Sequence, residues 1–151
     1  MPDTTMQSFR GSYLVPSLEH ATVADAMHPG IVSCEPDATL TEAARMMATH
    51  HVHCLAVIGV SHQGPEFGVW GILSDLDLVR AGVGDGAEKT AGALAQESVY
   101  SVTPATPLRE AGQLMLTHGT SHLVVIEAES ERPIGILSTL DIAGVLAWGE
   151  G

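Results

Sequence analysis

A chain of 151 residues, 45% of them hydrophobic, is long enough for one compact domain or two half-size repeats, and too apolar for wholesale disorder. Its 18 acidic against 6 basic residues give a net charge of −12, which argues against binding nucleic acid through clustered Lys and Arg, and against an anionic membrane face. Only 4% of residues are aromatic, so the core must be aliphatic.

In chain order, residues 1–16 show no strong periodicity and no basic segment followed by an apolar stretch, so no signal peptide is expected. Thr22–Met27 predicts a short helix and Ile31–Cys34 a short strand. Leu40, Ala43, Ala44 and Met47 then recur at i, i+3, i+4 and i+7, one apolar helical face. Thr39 and Glu42 have the spacing of a capping box opening that helix. Cys54–Val60 reads as a buried strand, and its run Leu55–Val60 is far too short to span a bilayer. A loop within Gly59–Trp70 leads to a second strand, Val69–Leu73, and a helix opening at Ser74.

The pattern then returns. Thr90–Ala95 predicts a short helix and Val99–Val102 a strand. Thr106 is the expected N-cap of the next helix, with Pro107 at its first position. Strands follow at His122–Glu127 and Ile134–Leu137, and a helix opens at Ser138. In each half the two long strands predict a hairpin, and the strand-helix-strand segment a parallel crossover.

The return is a sequence repeat. At an offset of 68, Thr22 falls on Thr90, Ser33 on Ser101, Pro36 on Pro104, Met47 on Met115 and Leu55 on Leu123. At an offset of 64, Gly71-Ile72-Leu73-Ser74 falls on Gly135-Ile136-Leu137-Ser138, and Leu76-Asp77 on Leu140-Asp141. The first copy therefore carries an enlarged turn. The expected organisation is an N-terminal extension (1–16), a first repeat (17–82), a linker (83–88) and a second repeat (89–151), an α/β (α+β) architecture with the repeats about a pseudo-twofold axis.

Each repeat closes on Gly-hydrophobic-hydrophobic-Ser-x-x-Asp: Gly71 to Asp77 and Gly135 to Asp141. Earlier come Pro36-Asp37-Ala38-Thr39-Leu40 and the central strands His53 to Ile58 and Ser121 to Ile126. In this order, occurring twice, the chain from Ser17 to Trp148 resembles a tandem pair of CBS domains, named after cystathionine β-synthase. The family often has proline where Ala56 and Val124 stand here, a change at a strand edge.

With no signal-like segment, no stretch long enough to span a bilayer and no cysteine framework, a cytoplasmic protein is expected. The resemblance implies a regulatory module, not an enzyme, acting on a separate effector protein and often assembling as a homodimer. It implies an adenosine-containing regulator (AMP, ADP, ATP or S-adenosylmethionine), an energy-sensing role and no separate cofactor. One site would use Ser138 and Asp141 with Thr22, Val52 and His53. Its mate would use Ser74 and Asp77 with Thr90, Ser121 and His122. Ile72 and Ile136 would face the base. The serine stands where free backbone N–H groups favour an anion, and the aspartate suits two ribose hydroxyls. Ser-x-x-Asp is equally the spacing of a capping box, which duplication copies as faithfully as a binding site. Thr22 and Thr90 are also plausible N-caps. Few basic residues stand near these blocks (Arg45, Arg80, Lys89, Arg109, Arg132), which favours a ligand with little phosphate over ATP.

Two rival readings stay open. One is an interaction module with vestigial clefts. The other is a zinc protein using His50, His51, His53 and Cys54, although no other compact set of ligands completes that site. There is no Gly-x-Ser-x-Gly elbow, phosphate-binding loop or His-Glu-x-x-His to support catalysis. Cys34 and Cys54 lie in aliphatic surroundings and read as inert thiols.

Overall fold

A computed structural model describes residues 16–60, 67–95 and 99–150. Most of the expected N-terminal extension and the middle of the enlarged turn lie outside the described residues. The elements run α1 (Val23–Ala26), β1 (His28–Pro29), β2 (Ser33–Cys34), α2 (Leu40–His50), β3 (Cys54–Val60), β4 (Phe67–Ser74), α3 (Asp75–Val83), α4 (Ala91–Leu94), β5 (Ser101–Val102), α5 (Leu108–His118), β6 (His122–Ile126), β7 (Pro133–Ser138) and α6 (Thr139–Trp148).

These elements form two compact units, and the units exchange their leading segments relative to the sequence repeats. One unit holds β2 through α4; the other joins α1 and β1 to β5 through α6. The leading helix of each repeat thus packs in the unit built on the other repeat.

In the unit from β2 to α4, the sheet order is β2-β3-β4, with β2 parallel and β4 antiparallel to β3. The crossover and the hairpin are those the patterning predicts. The aliphatic run of β3 is buried on both faces, with Leu55, Ala56 and Val57 all at 1% exposure or less. Ala43 and Met47 of α2 join Leu55, Val57 and Leu73 in the core, and α4 adds Ala91 and Leu94. The capping box forms as expected: Thr39 N–H donates to Glu42 Oε1 at 2.8 Å, and Glu42 N–H to Thr39 Oγ1 at 3.1 Å. The helix ends at His51, which takes the left-handed conformation with φ +54°.

In the other unit, the sheet order is β1-β7-β6-β5. Val23 of α1, fully enclosed, lies in one core with Leu108, Ala111, Met115, Leu123, Leu137 and Val145. The two hairpins are distorted at matching places. Their register shifts between Val57 and Ile58 in one and between Val125 and Ile126 in the other, so the irregularity was duplicated with the repeat.

Two local expectations change. Thr106 does not cap α5. The cap position is Pro107, because Thr106 is engaged elsewhere: its Oγ1 accepts from Thr103 N–H at 3.2 Å and its carbonyl from Val23 N–H at 2.8 Å. The strand β1 has no sequence signal, since two residues ending in proline cannot show alternation. It forms by adding to the edge of β7, with His28 opposite Ile136 and Pro29 opposite Gly135. A Cβ on Gly135 would stand 2.5 Å from the His28 carbonyl oxygen, so only glycine lets the two backbones approach this closely.

Candidate functional site

Both Ser-x-x-Asp pairs stand where a long strand turns into a helix, and both form complete capping boxes. Ser74 N–H donates to Asp77 Oδ2 at 2.9 Å, and Asp77 N–H to Ser74 Oγ at 3.2 Å. Ser138 and Asp141 repeat this at 2.8 and 3.2 Å. The structural role of these residues is therefore real. It leaves two groups uncommitted by the cap: each serine hydroxyl accepts within the box, so its own proton remains to be donated, and each aspartate keeps Oδ1.

Burial separates these boxes from an ordinary cap. The Asp77 and Asp141 side chains are each only 5% exposed, whereas carboxylates are seldom buried unless paired. By contrast, Glu42, which does the same capping job on α2, is exposed. A cap needs no such enclosure, and a desolvated carboxylate costs free energy unless further donors reach it.

The two free oxygens meet different neighbours. Asp141 Oδ1 lies 2.8 Å from His28 Nδ1, the distance of an N–H donated to a carboxylate. Asp77 Oδ1 has Arg80 Nη1 at 3.7 Å, one turn along the same helix. Sequence reasoning missed His28, because nothing marks β1 as a strand and its partner lies at the far end of the chain.

The other predicted residues divide as follows. Thr22, Ile136, Ser138 and Asp141 lie in one unit, and so do Ser121 and His122. Ile72, Ser74, Asp77 and Thr90 lie in the other, with Val52 and His53. Thr22 and Thr90 are the N-cap residues of α1 and α4. Thr22 bridges Pro107 and Thr90 bridges Thr39, so each ties its short helix to the start of the long helix in its own unit. The side chain of Ile72 is fully enclosed and that of Ile136 is half-buried. His53 is exposed, and its Nδ1 lies 3.0 Å from Asp75 Oδ2. Ser121 Oγ lies 2.9 Å from His122 Nδ1. Thr120, which the repeat aligns with Val52, is buried and donates its hydroxyl to the His122 carbonyl at 3.1 Å.

The histidine–cysteine cluster does not gather. His50 ends α2, His51 turns away from the helix, and Cys54 is buried at the start of β3. Among the described residues no three His, Cys, Asp or Glu side chains group as metal ligands. Burial raises the Cys34 thiol pKa above its ordinary value. No helix among the described residues is long and apolar enough to cross a membrane.

Known proteins share the family pattern and the fold. The CBS domain profile matches residues 23–84 and 91–147. Hypoxic response protein 1 of Mycobacterium tuberculosis is 31% identical over 125 residues, 81% of this chain and 82% of that protein. A crystal structure of Hypoxic Response Protein I with two coordinated zinc ions superposes with a TM-score of 0.62 at 31% identity, covering 82% of this chain and 97% of that one. The CBS domain pair of protein MJ0100, in complex with 5′-methylthioadenosine and S-adenosyl-L-methionine, gives a TM-score of 0.70 at 20% identity, covering 84% and 96%. A Pyrobaculum aerophilum CBS domain protein complexed with AMP gives 0.66 at 23% identity, covering 83% and 98%.

Proposed function

The chain belongs to the CBS domain family, and from that premise we propose that it is a regulatory module, not an enzyme, which binds an adenosine-containing ligand and modulates a separate protein as a homodimer. The observation that carries this reading is the pair of enclosed carboxylates, Asp77 and Asp141. Each holds its capping bond through Oδ2, and Oδ1 stands outside the cap, where ribose hydroxyls would compete with Arg80 at Asp77 and with His28 at Asp141. The adjacent serine hydroxyl, whose proton lies outside the box, suits the 5′ substituent; the Asp75 and Thr139 N–H groups that open α3 and α6 are already donated to the His53 and Ser121 carbonyls. Relatives of the same fold crystallised with AMP and with S-adenosyl-L-methionine support the ligand class. The acidic balance of the chain favours AMP or an adenosyl compound over ATP.

Thermal unfolding tests the reading. AMP, ADP, ATP, S-adenosylmethionine and zinc are added separately to the wild type, Asp77→Ala and Asp141→Ala. A ligand at 100 times its Kd adds about 2.7 kcal/mol to the native state. Stabilisation by an adenosyl compound that an aspartate variant loses supports the reading; silence with every nucleotide overturns it. Stabilisation by zinc alone would transfer the function to metal binding.

A further inference from the structure

The two carboxylates differ in what already holds them. Asp141 Oδ1, the oxygen a ribose needs, is occupied by His28 at 2.8 Å. The contact is built into the fold. β1 is paired to the β7 edge, with His28 opposite Ile136, and Gly30 N–H donates to the Ile134 carbonyl at 2.8 Å. Gly135 admits the strand, since a side chain there would strike the His28 carbonyl. The histidine side chain is itself 77% exposed. It can swing out to water without disturbing the core while the strand stays in place.

The other carboxylate has no such donor among the described residues. Arg80 approaches Asp77 Oδ1 only to 3.7 Å and is 65% exposed, so water and ligand compete for it readily.

We propose that His28 is a gate on the Ser138–Asp141 half-site: it occupies the ribose-accepting oxygen, a ligand enters only by displacing it, and this half-site is therefore weaker than the one on Ser74 and Asp77. The inference rests on the adenosyl reading above. It makes His28 a specificity-determining residue, because a ligand whose ribose hydroxyls are missing or blocked cannot replace the bond it breaks. Such a ligand is excluded here more strongly than at the Asp77 half-site.

The test uses AMP as the probe and isothermal titration of the full chain. Asp77→Ala isolates the Asp141 half-site; Asp77→Asn replaces it if the alanine variant loses its melting transition, because the amide oxygen keeps the cap. Adding His28→Ala to either is expected to tighten AMP binding roughly five- to tenfold, the worth of one exposed bond to a charged acceptor. In the ligand-free protein, the His28 Nδ1 resonance is expected to shift on Asp141→Asn and, in the wild type, on saturation with AMP. 2′,3′-Dideoxyadenosine monophosphate, which must displace the same side chain without replacing its bond, is expected to gain at least as much as AMP from His28→Ala. Wild-type binding of AMP together with unchanged or weaker affinity in the double variant overturns the gate and leaves the adenosyl reading standing. Failure of the wild type and His28→Ala alike to bind AMP, ADP, ATP or S-adenosylmethionine overturns both.

Discussion

The backbone N–H of Val23 donates to the carbonyl of Thr106 at 2.8 Å, tying the first helix of the chain to the turn that opens α5. The mate of this bond runs from Ala91 N–H to the Ala38 carbonyl, also at 2.8 Å. Each repeat therefore completes its neighbour's core with its own leading helix. Val23 is fully enclosed in a core built mainly of second-repeat residues. Val23→Ala is expected to cost about 2 kcal/mol through the cavity it leaves. Hydrogen exchange locates the damage: protection should fall first in Leu108–His118 and not in Leu40–His50. Equal loss in both helices would show that the two units unfold as one.

The capping boxes predict a loss that precedes any ligand. Asp77→Ala and Asp141→Ala each remove the acceptor of a serine N–H, and each should lower stability by about 1 kcal/mol without nucleotide. Ser74→Ala and Ser138→Ala should cost about as much. The aspartate and serine variants differ once ligand is added. If the carboxylate reads the ribose, the aspartate variants lose most of the ligand-induced rise in Tm, and the serine variants lose less. Identical losses would leave the cap as the whole role of these residues.

What was legible in the sequence is what rests on local chemistry. The apolar stripe Leu40, Ala43, Met47 fixes a helix because its period allows nothing else. Ser74 with Asp77 and Ser138 with Asp141 were recognisable because a capping box spans one turn. The roles of Thr106 and His28 were not, because their partners are distant in sequence. Thr106 has the composition of an N-cap, but its carbonyl is taken by Val23. His28 reaches Asp141 only after β1 has joined the far edge of β7, and no window around Met27-His28-Pro29 contains that information.

Gly135 tests that edge. Gly135→Ala places a methyl group where the His28 carbonyl and the Met27 methyl already lie, each 2.5 Å from the new Cβ. The backbone carbonyl cannot swing aside as a flexible side chain can. The variant is expected to detach β1 at a cost of about 1–3 kcal/mol. Amide exchange at Gly30, whose N–H donates to Ile134, should accelerate while exchange in β6 is unchanged. Retained protection at Gly30 would show that β7 moves instead.

Cys34 carries a pH prediction whose sign follows from its burial. Desolvation raises the thiol pKa in the folded chain, so the unfolded state loses its proton first as pH rises. The protonated, buried thiol therefore contributes its full stability below the unfolded value of about 8.5, and that contribution is lost as pH rises through the folded pKa. Stability measured from pH 7 to 10 should fall more steeply for the wild type than for Cys34→Ala. At neutral pH the native thiol should resist iodoacetamide and react only on unfolding. Fast native labelling would place the thiolate in reach of water and contradict the burial.

The exposed face of α5 and α6 predicts the assembly. Leu116 of α5 and Leu146 of α6, which stand on the same groove, are 79 and 67% exposed. Between the helices runs an apolar groove of about 420 Å³ whose lining includes Leu18, Leu108, Gly112, Leu116, Ile142 and Leu146. Contiguous apolar surface of this kind seldom stays in water on a monomer. A homodimer formed through it would bury Leu116 and Leu146, whose replacement by glutamate sets like charges in that interface. Light scattering coupled to gel filtration is expected to give twice the chain mass for the wild type and the single-chain mass for Leu116→Glu/Leu146→Glu, with the far-ultraviolet dichroism unchanged. Since both residues are already exposed in the single chain, the substitutions should not disturb its core, and a dimer that survives them must be held by another face.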